Sequence, residues 1–158
     1  MNRPRHIDFE VDQIELGEVG TSIGFLLRLA QVQTFDAFFD ALAPEGLRPG
    51  EFTLLWVIGL NPGVRQGSLA KILKIKPAHM TKLVQKAVEN GHVNRHIPSD
   101  DRRSVQLDLT GEGTMFVKQN KLKFLDFMTF EKSSLTKDEF HQFVTLLQKF
   151  IGFGEQND

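Results

Sequence analysis

The chain has 158 residues, 41% of them hydrophobic and 25% charged, the balance of a folded domain rather than a disordered segment. It contains no cysteine, which excludes disulfides, thiolate metal sites, cysteine nucleophiles and thiol redox sensing together. The formal net charge of −1 hides an asymmetry: Arg65 to Arg103 carries nine basic residues against Glu89, Asp100 and Asp101, a balance of +6, and the remainder stands at −7.

Met1 to Asp12 alternates charges with single apolar residues and has no apolar stretch of signal-peptide type, so cytoplasmic residence is the expectation. No run of about 18 apolar residues occurs, and no membrane span is expected. From Glu18 to Ala43 the residues Ile23, Leu26, Leu27, Ala30, Thr34, Phe38 and Leu42 fall near a 3.6 period, which predicts one long amphipathic helix. Pro44 to Pro49 breaks it. Pro49 suits the first turn of a second helix carrying Phe52, Leu55, Trp56 and Ile58, stopped by Asn61-Pro62-Gly63.

Ser68 to Leu73 reads as a short helix, and Lys74-Ile75-Lys76 as a tight connection. Pro77 opens the next helix, whose Met80, Leu83, Val84 and Ala87 form a buried stripe at i, i+3, i+4 and i+7, and Asn90-Gly91 supplies a left-handed cap. The period then switches to two. Val93, Arg95 and Ile97, and after a charged turn Val105, Leu107 and Leu109, predict a β-hairpin. Thr110 is an N-cap for a helix running through Met115, Phe116, Leu122, Leu125 and Met128. Thr136-Lys137-Asp138-Glu139 is a capping box opening a last helix with the stripe Phe140, Phe143, Val144, Leu147, Phe150 and Ile151.

Two short helices on a tight turn, followed at once by a hairpin, are the plan of a winged helix-turn-helix. Its second helix enters the major groove, where base edges carry a readable donor and acceptor code, and the hairpin tip reaches the neighbouring minor groove. On the second helix the stripe leaves Ala78, His79, Thr81, Lys82, Gln85 and Lys86 outward. His79, Thr81 and Gln85 suit base edges, and Lys82 and Lys86 suit phosphates. Arg65, Lys76, Arg95 and Arg102 complete the basic surface. At the tip, Asp101 stands where its carboxylate can orient Arg103 toward a groove. In isolation the helix also reads as an ordinary solvated surface and the tip as a hydrophilic turn; their adjacency favours the DNA reading.

Gln66-Gly67-Ser68-Leu69-Ala70-Lys71-Ile72-Leu73, Ile75-Lys76-Pro77, Met80-Thr81-Lys82-Leu83-Val84, Asn90-Gly91-His92-Val93 and Asp101-Arg102-Arg103, closing on Leu109-Thr110, resemble the MarR family of bacterial transcription regulators. Leu47-Arg48-Pro49-Gly50-Glu51-Phe52 resembles the start of that family's second helix, and the likeness runs from about Glu18 to Phe150. The resemblance implies a mainly α fold with a small β-hairpin wing: a winged helix-turn-helix at 46–110 between dimerisation elements at 1–45 and 111–158. It implies a homodimer on pseudo-palindromic double-stranded DNA, a repressor released by a small aromatic or anionic effector, and an Asp101–Arg103 pair whose arginine enters the minor groove. Three departures stand out. Arg48 and Arg65 occupy positions where the family often has Ser or Thr caps, Ala78 stands where Ser or Thr often contacts DNA, and the absence of cysteine excludes the peroxide-sensing mode.

Phe25, Phe52, Trp56 and Phe116 are candidate effector contacts, although aromatics at helical spacing are also core residues. The histidines His6, His79, His92, His96 and His141 are scattered, no nucleophile stands beside a base, and there is no glycine-rich phosphate loop or HExxH motif. No enzyme activity, metal or cofactor is expected. The rival reading is a winged-helix protein-interaction module without DNA binding.

Overall fold

Chain-breaking residues set the first elements. The computed structural model describes residues 14–99, 104–126, 129 and 133–153, the side chain of Glu45 excepted. The long helix expected from Glu18 starts later. Gly17–Thr21 forms a 3₁₀ turn, closed by the Thr21 hydroxyl on the Glu18 carbonyl at 2.9 Å, and Ser22 is extended. Helix α1 then runs Ile23–Leu42, and Pro44 diverts the chain into a second 3₁₀ turn, Ala43–Glu45. Helix α2, Pro49–Leu60, has proline in its first turn, where a missing N–H costs nothing.

Strand β1, Val64–Arg65, was not legible in the sequence: two residues carry no alternation. Helix α3 is Gln66–Ile72, beginning two residues before the expected start, and α4 is Pro77–Glu89. Strands β2, Val93–His96, and β3, Gln106–Leu109, form the hairpin; Ile97 and Val105 fall outside its ladder. Arg95 faces Leu107 across β2 and β3, while β1 pairs with the other edge of β3 through Val64 to Leu107. The sheet is therefore antiparallel in the order β1-β3-β2, one strand more than the expected hairpin. Helix α5 is Gly111–Asp126 and α6 is Lys137–Phe150. Met128 lies outside the described residues.

Leu42–Phe124 forms one compact unit, and the described parts of Met1–Ala41 and Leu125–Asp158 group as another. In the first unit α2 packs on β3, α4 on β2, and α3 on α4. Its core is Phe52, Leu54, Ile58, Leu69, Met80, Val84, Val93 and Leu107, all at most 2% exposed. Burying each such side chain contributes about 1.5–3 kcal/mol. In the second unit Phe38 is buried and meets Phe39 edge-on at 5.9 Å. Among the described residues much of the unit's apolar surface is left exposed. Ile23, Leu26 and Leu27 on α1 are exposed, and α6 buries no residue although Phe143, Val144, Phe150 and Ile151 line one side of it.

No helix among the described residues is long and apolar enough to cross a membrane.

Candidate nucleic-acid interface

The connection between α3 and α4 is set by a residue in a costly conformation. Lys74 has φ +53°, its N–H donates to the Lys71 carbonyl at 3.3 Å, and the Ile75 N–H donates to Ala70 at 2.9 Å. This is a Schellman closure built on lysine where glycine is usual. It ends α3 sharply and lets Lys76-Pro77 open α4 three residues later. Neither Arg65 nor Lys76 caps its helix with a side chain. At α3 the Gln66 N–H instead donates to Val105 of the wing at 2.8 Å.

On α4, Met80, Val84 and Ala87 are buried as the stripe demands, and Leu83 is half-buried. Ala78, His79, Thr81, Lys82 and Gln85 are exposed together on the opposite side, with Lys76 exposed at the helix start. Two of these polar groups are already engaged. The Thr81 hydroxyl donates to the Pro77 carbonyl at 3.0 Å and accepts from Gln66 Nε2 at 3.2 Å. Gln85 Nε2 donates to Glu89 Oε1 at 2.9 Å.

Lys86 departs from the expectation of an outward phosphate contact. It is half-buried, and its Nζ lies 2.5 Å from Glu51 Oε1 of α2. Its partner draws the ammonium toward α2. Glu51 was not among the candidate residues, and a contact spanning 35 positions leaves no local trace in sequence.

At the wing, Arg65 and Arg95 are both exposed. His96 bridges Gln106 at 2.9 Å and Asp108 at 3.6 Å, while the other Asp108 oxygen accepts from the Gly63 N–H at 2.6 Å. These contacts tie the hairpin to the turn before β1. Asp101, Arg102 and Arg103 lie outside the described residues.

Gly91, at φ +74°, closes α4 by donating to Val88, while His92 donates to Ala87, both at 2.9 Å. The sequence had marked this Asn90-Gly91 cap. His92 then stacks on Phe116 at 4.5 Å, at one wall of a cavity of about 110 Å³. Leu55, Phe52 and Leu83 give the cavity its apolar lining, and Arg48, Glu51 and Lys86 its charged rim. Of the candidate effector residues, Phe52 and Phe116 line this cavity with rings 6.4 Å apart. Trp56 packs on Phe52 at 6.0 Å and on Phe124 at 5.8 Å, under the Lys121 ammonium at 5.2 Å. Phe25 lies on α1, in the other unit.

The MarR family model matches residues 47–105, a span holding α2, both helices of the motif and β2, and ending just before β3. The HTH-type transcriptional regulator BilQ of Clostridium symbiosum is 30% identical over 108 residues, 68% of this chain and 75% of that protein. A transcriptional regulatory protein assigned to the hcr operon of Thauera aromatica is 29% identical over 113 residues, 71% of this chain and 68% of that protein. Among solved structures, the transcriptional repressor CouR bound to a 23-mer DNA duplex matches with a TM-score of 0.80 at 25% identity, covering 88% of this chain and 99% of that one. The chain belongs to the MarR family of transcriptional regulators.

Proposed function

We propose that this regulator acts in the cytoplasm as a homodimer, binds a pseudo-palindromic operator, and represses transcription until a small aromatic or anionic effector releases it. The observation that carries the proposal is α4, with a buried stripe of Met80, Val84 and Ala87 and an exposed face of Ala78, His79, Thr81, Lys82 and Gln85. Beside it the exposed cations Lys71, Lys74, Lys76 and Arg95 set the electrostatic character of the surface. In this reading His79, Thr81 and Gln85 read bases, Lys82 and Arg65 hold phosphates, and Arg103, set by Asp101, enters the minor groove.

Dimerisation is supported by the apolar surface of the second unit. Phe39 on α1 is 45% exposed and Phe150 on α6 is 59% exposed, and large apolar faces of this kind mark association surfaces. The helices flanking the 46–110 head are the elements assigned to it. The effector is placed in the Phe52–Phe116 cavity, whose cationic rim suits one negative charge.

An electrophoretic shift on random duplex DNA at several salt concentrations tests the reading. Binding that weakens with salt, each phosphate contact adding about 0.9 to the logarithmic slope, is the expected result. No binding even at low salt would establish the protein-interaction module instead. Trp56 is the only tryptophan, so its fluorescence, followed through a benzoate titration, reports occupation of the adjoining cavity.

A further inference from the structure

Two polar side chains of the exposed α4 face have their hydrogen-bonding sense fixed by neighbours within the chain. A hydroxyl has one proton and two acceptor sites. Thr81 commits its proton to the Pro77 carbonyl and one acceptor site to Gln66 Nε2. What remains is a single acceptor. Four residues on, and hence on the same face, Gln85 has its Nε2 held by Glu89 Oε1. That bond sets which way the amide faces, leaving Oε1 and one N–H for a ligand.

We infer that Gln66 and Glu89 are positioning residues that make α4 a reader of exocyclic amino groups, adenine N6 or cytosine N4 opposite Thr81 and adenine opposite Gln85. The inference rests on the DNA-binding reading above. In the major groove only adenine and cytosine present donors, while guanine and thymine present the acceptors O6, N7 and O4. An acceptor-only Thr81 cannot satisfy the latter. Gln85, with one oxygen and one N–H to offer, matches the N6 and N7 of adenine, whereas guanine O6 and N7 ask for two donors.

Gln66 carries a second sign of this role. Its Oε1 is buried without a hydrogen-bond partner among the described residues, an arrangement that costs stability. A residue kept for packing alone has no need of that amide. Its main chain is meanwhile tied to Val105 of the wing, so one residue links wing, α3 and the Thr81 hydroxyl.

The test uses the full chain. Selection from a random duplex library gives the operator, and Thr81→Val and Gln85→Ala identify the base position each residue reads. Operators with purine in place of adenine, or 2-pyrimidinone in place of cytosine, then delete the single amino group at those positions. Parent affinity is expected to fall about five-fold or more, Thr81→Val to be insensitive at its own position, and Thr81→Ser to recover the effect. Gln66→Met should reduce discrimination at the Thr81 position, and Glu89→Ala at the Gln85 position. Both should keep the parent's salt slope, and Gln66→Met should have an equal or higher thermal midpoint, which separates positioning from folding. Amine deletion that is silent in the parent, or parent-like base preferences in both Gln66→Met and Glu89→Ala, would overturn the inference. A parent that selects no sequence at all overturns the DNA-binding reading itself, before any modified base is used.

Discussion

Gly113, in the helix after the wing, lies close against the His92 main chain, and Gly113→Ala turns that closeness into a measurable cost. A Cβ at this position would overlap the His92 carbonyl oxygen and stand 2.9 Å from its carbon and 3.0 Å from its Cα. Ordinary carbon–oxygen contacts sit near 3.3–3.6 Å, so α5 and the chain at His92 must part by roughly 1.5 Å. Backbone is on one side and helix on the other, so no flexible side chain can absorb the shift. The Thr110 N–H bond to His92 at 3.0 Å and the Thr110 hydroxyl bond to Gly91 at 2.6 Å cross the same junction. Overpacking costs about 1–3 kcal/mol and a lost hydrogen bond about 1 more. Alanine's better helix propensity returns about 1. The net expectation is a loss of about 2 kcal/mol, or a thermal midpoint lower by about 4–8 °C for a chain of this size. Gly111→Ala is the control: it lies in the same helix, and a Cβ there meets nothing within 4 Å. Thermal unfolding of both variants at one protein concentration, held equal because dimers couple stability to concentration, decides the matter. If Gly113→Ala loses no more stability than Gly111→Ala, the close approach of α5 to His92 is wrong.

Lys82→Ala should lower the salt slope of DNA binding by about 0.9. Lys86→Ala should leave the slope near the parent's and cost less than about 1 kcal/mol of stability, since its pair with Glu51 is partly solvated; equal slope changes for the two lysines would return Lys86 to the phosphate face. Arg103→Ala should weaken operator binding by about 1–3 kcal/mol in a titration at fixed salt, and unchanged affinity would remove the wing arginine from the groove. Lys74→Gly relieves a left-handed lysine costing about 1–2 kcal/mol against about 0.5–1 for glycine's chain entropy, so denaturant unfolding should show a gain of up to about 1.5 kcal/mol; a loss would contradict that conformation. Glu139 has its carboxyl held below the ordinary glutamate value, first by the Thr136 N–H and then by the Thr136 hydroxyl. Its contribution to stability is therefore present above the unfolded glutamate value and fades as pH falls through the lowered folded one. Carboxylate titration by NMR should show the depression, partly reversed in Thr136→Ala, which keeps the N–H; titration at or above the ordinary value would refute the capping box.

What the sequence disclosed is what short-range physics writes into it. The α4 stripe, the Asn90-Gly91 stop and the Thr136–Glu139 box each depend on residues within one or two turns, and each stands where the pattern put it. The failures have equally definite causes. Periodicity carried the first helix back to Glu18, but Ser22 is extended and Gly17 has φ +51°, local backbone choices that an apolar count does not register. Strand β1 exists through its pairing with Leu107 and Gln106, more than forty residues away. Lys86 looked outward because its own helix places it near the edge of the polar face, and only α2 supplies the carboxylate that turns it. Gln66 stood inside the motif that revealed the family, yet its bond to Thr81 depends on how α3 and α4 cross.

The same helix that carries the exposed Thr81, Lys82 and Gln85 also walls the cavity. Leu83, Lys86, Ala87 and Asn90 of the α4 segment border it, while Thr81, Lys82 and Gln85 are exposed on the outside. An occupant pressing on Leu83 or drawing Lys86 from Glu51 therefore acts less than one turn from the groups assigned to bases. Such an occupant shifts DNA affinity only by the difference in its own affinity for the free and the DNA-bound protein. The Lys86–Glu51 pair is the charged contact at the cavity wall that a bound carboxylate would meet. In Glu51→Gln the lysine loses its charged partner, and benzoate should bind the free protein more tightly, because its carboxylate no longer competes with Glu51. Fluorescence of Trp56 measures this directly, and weaker or unchanged benzoate binding in Glu51→Gln would separate the ion pair from release.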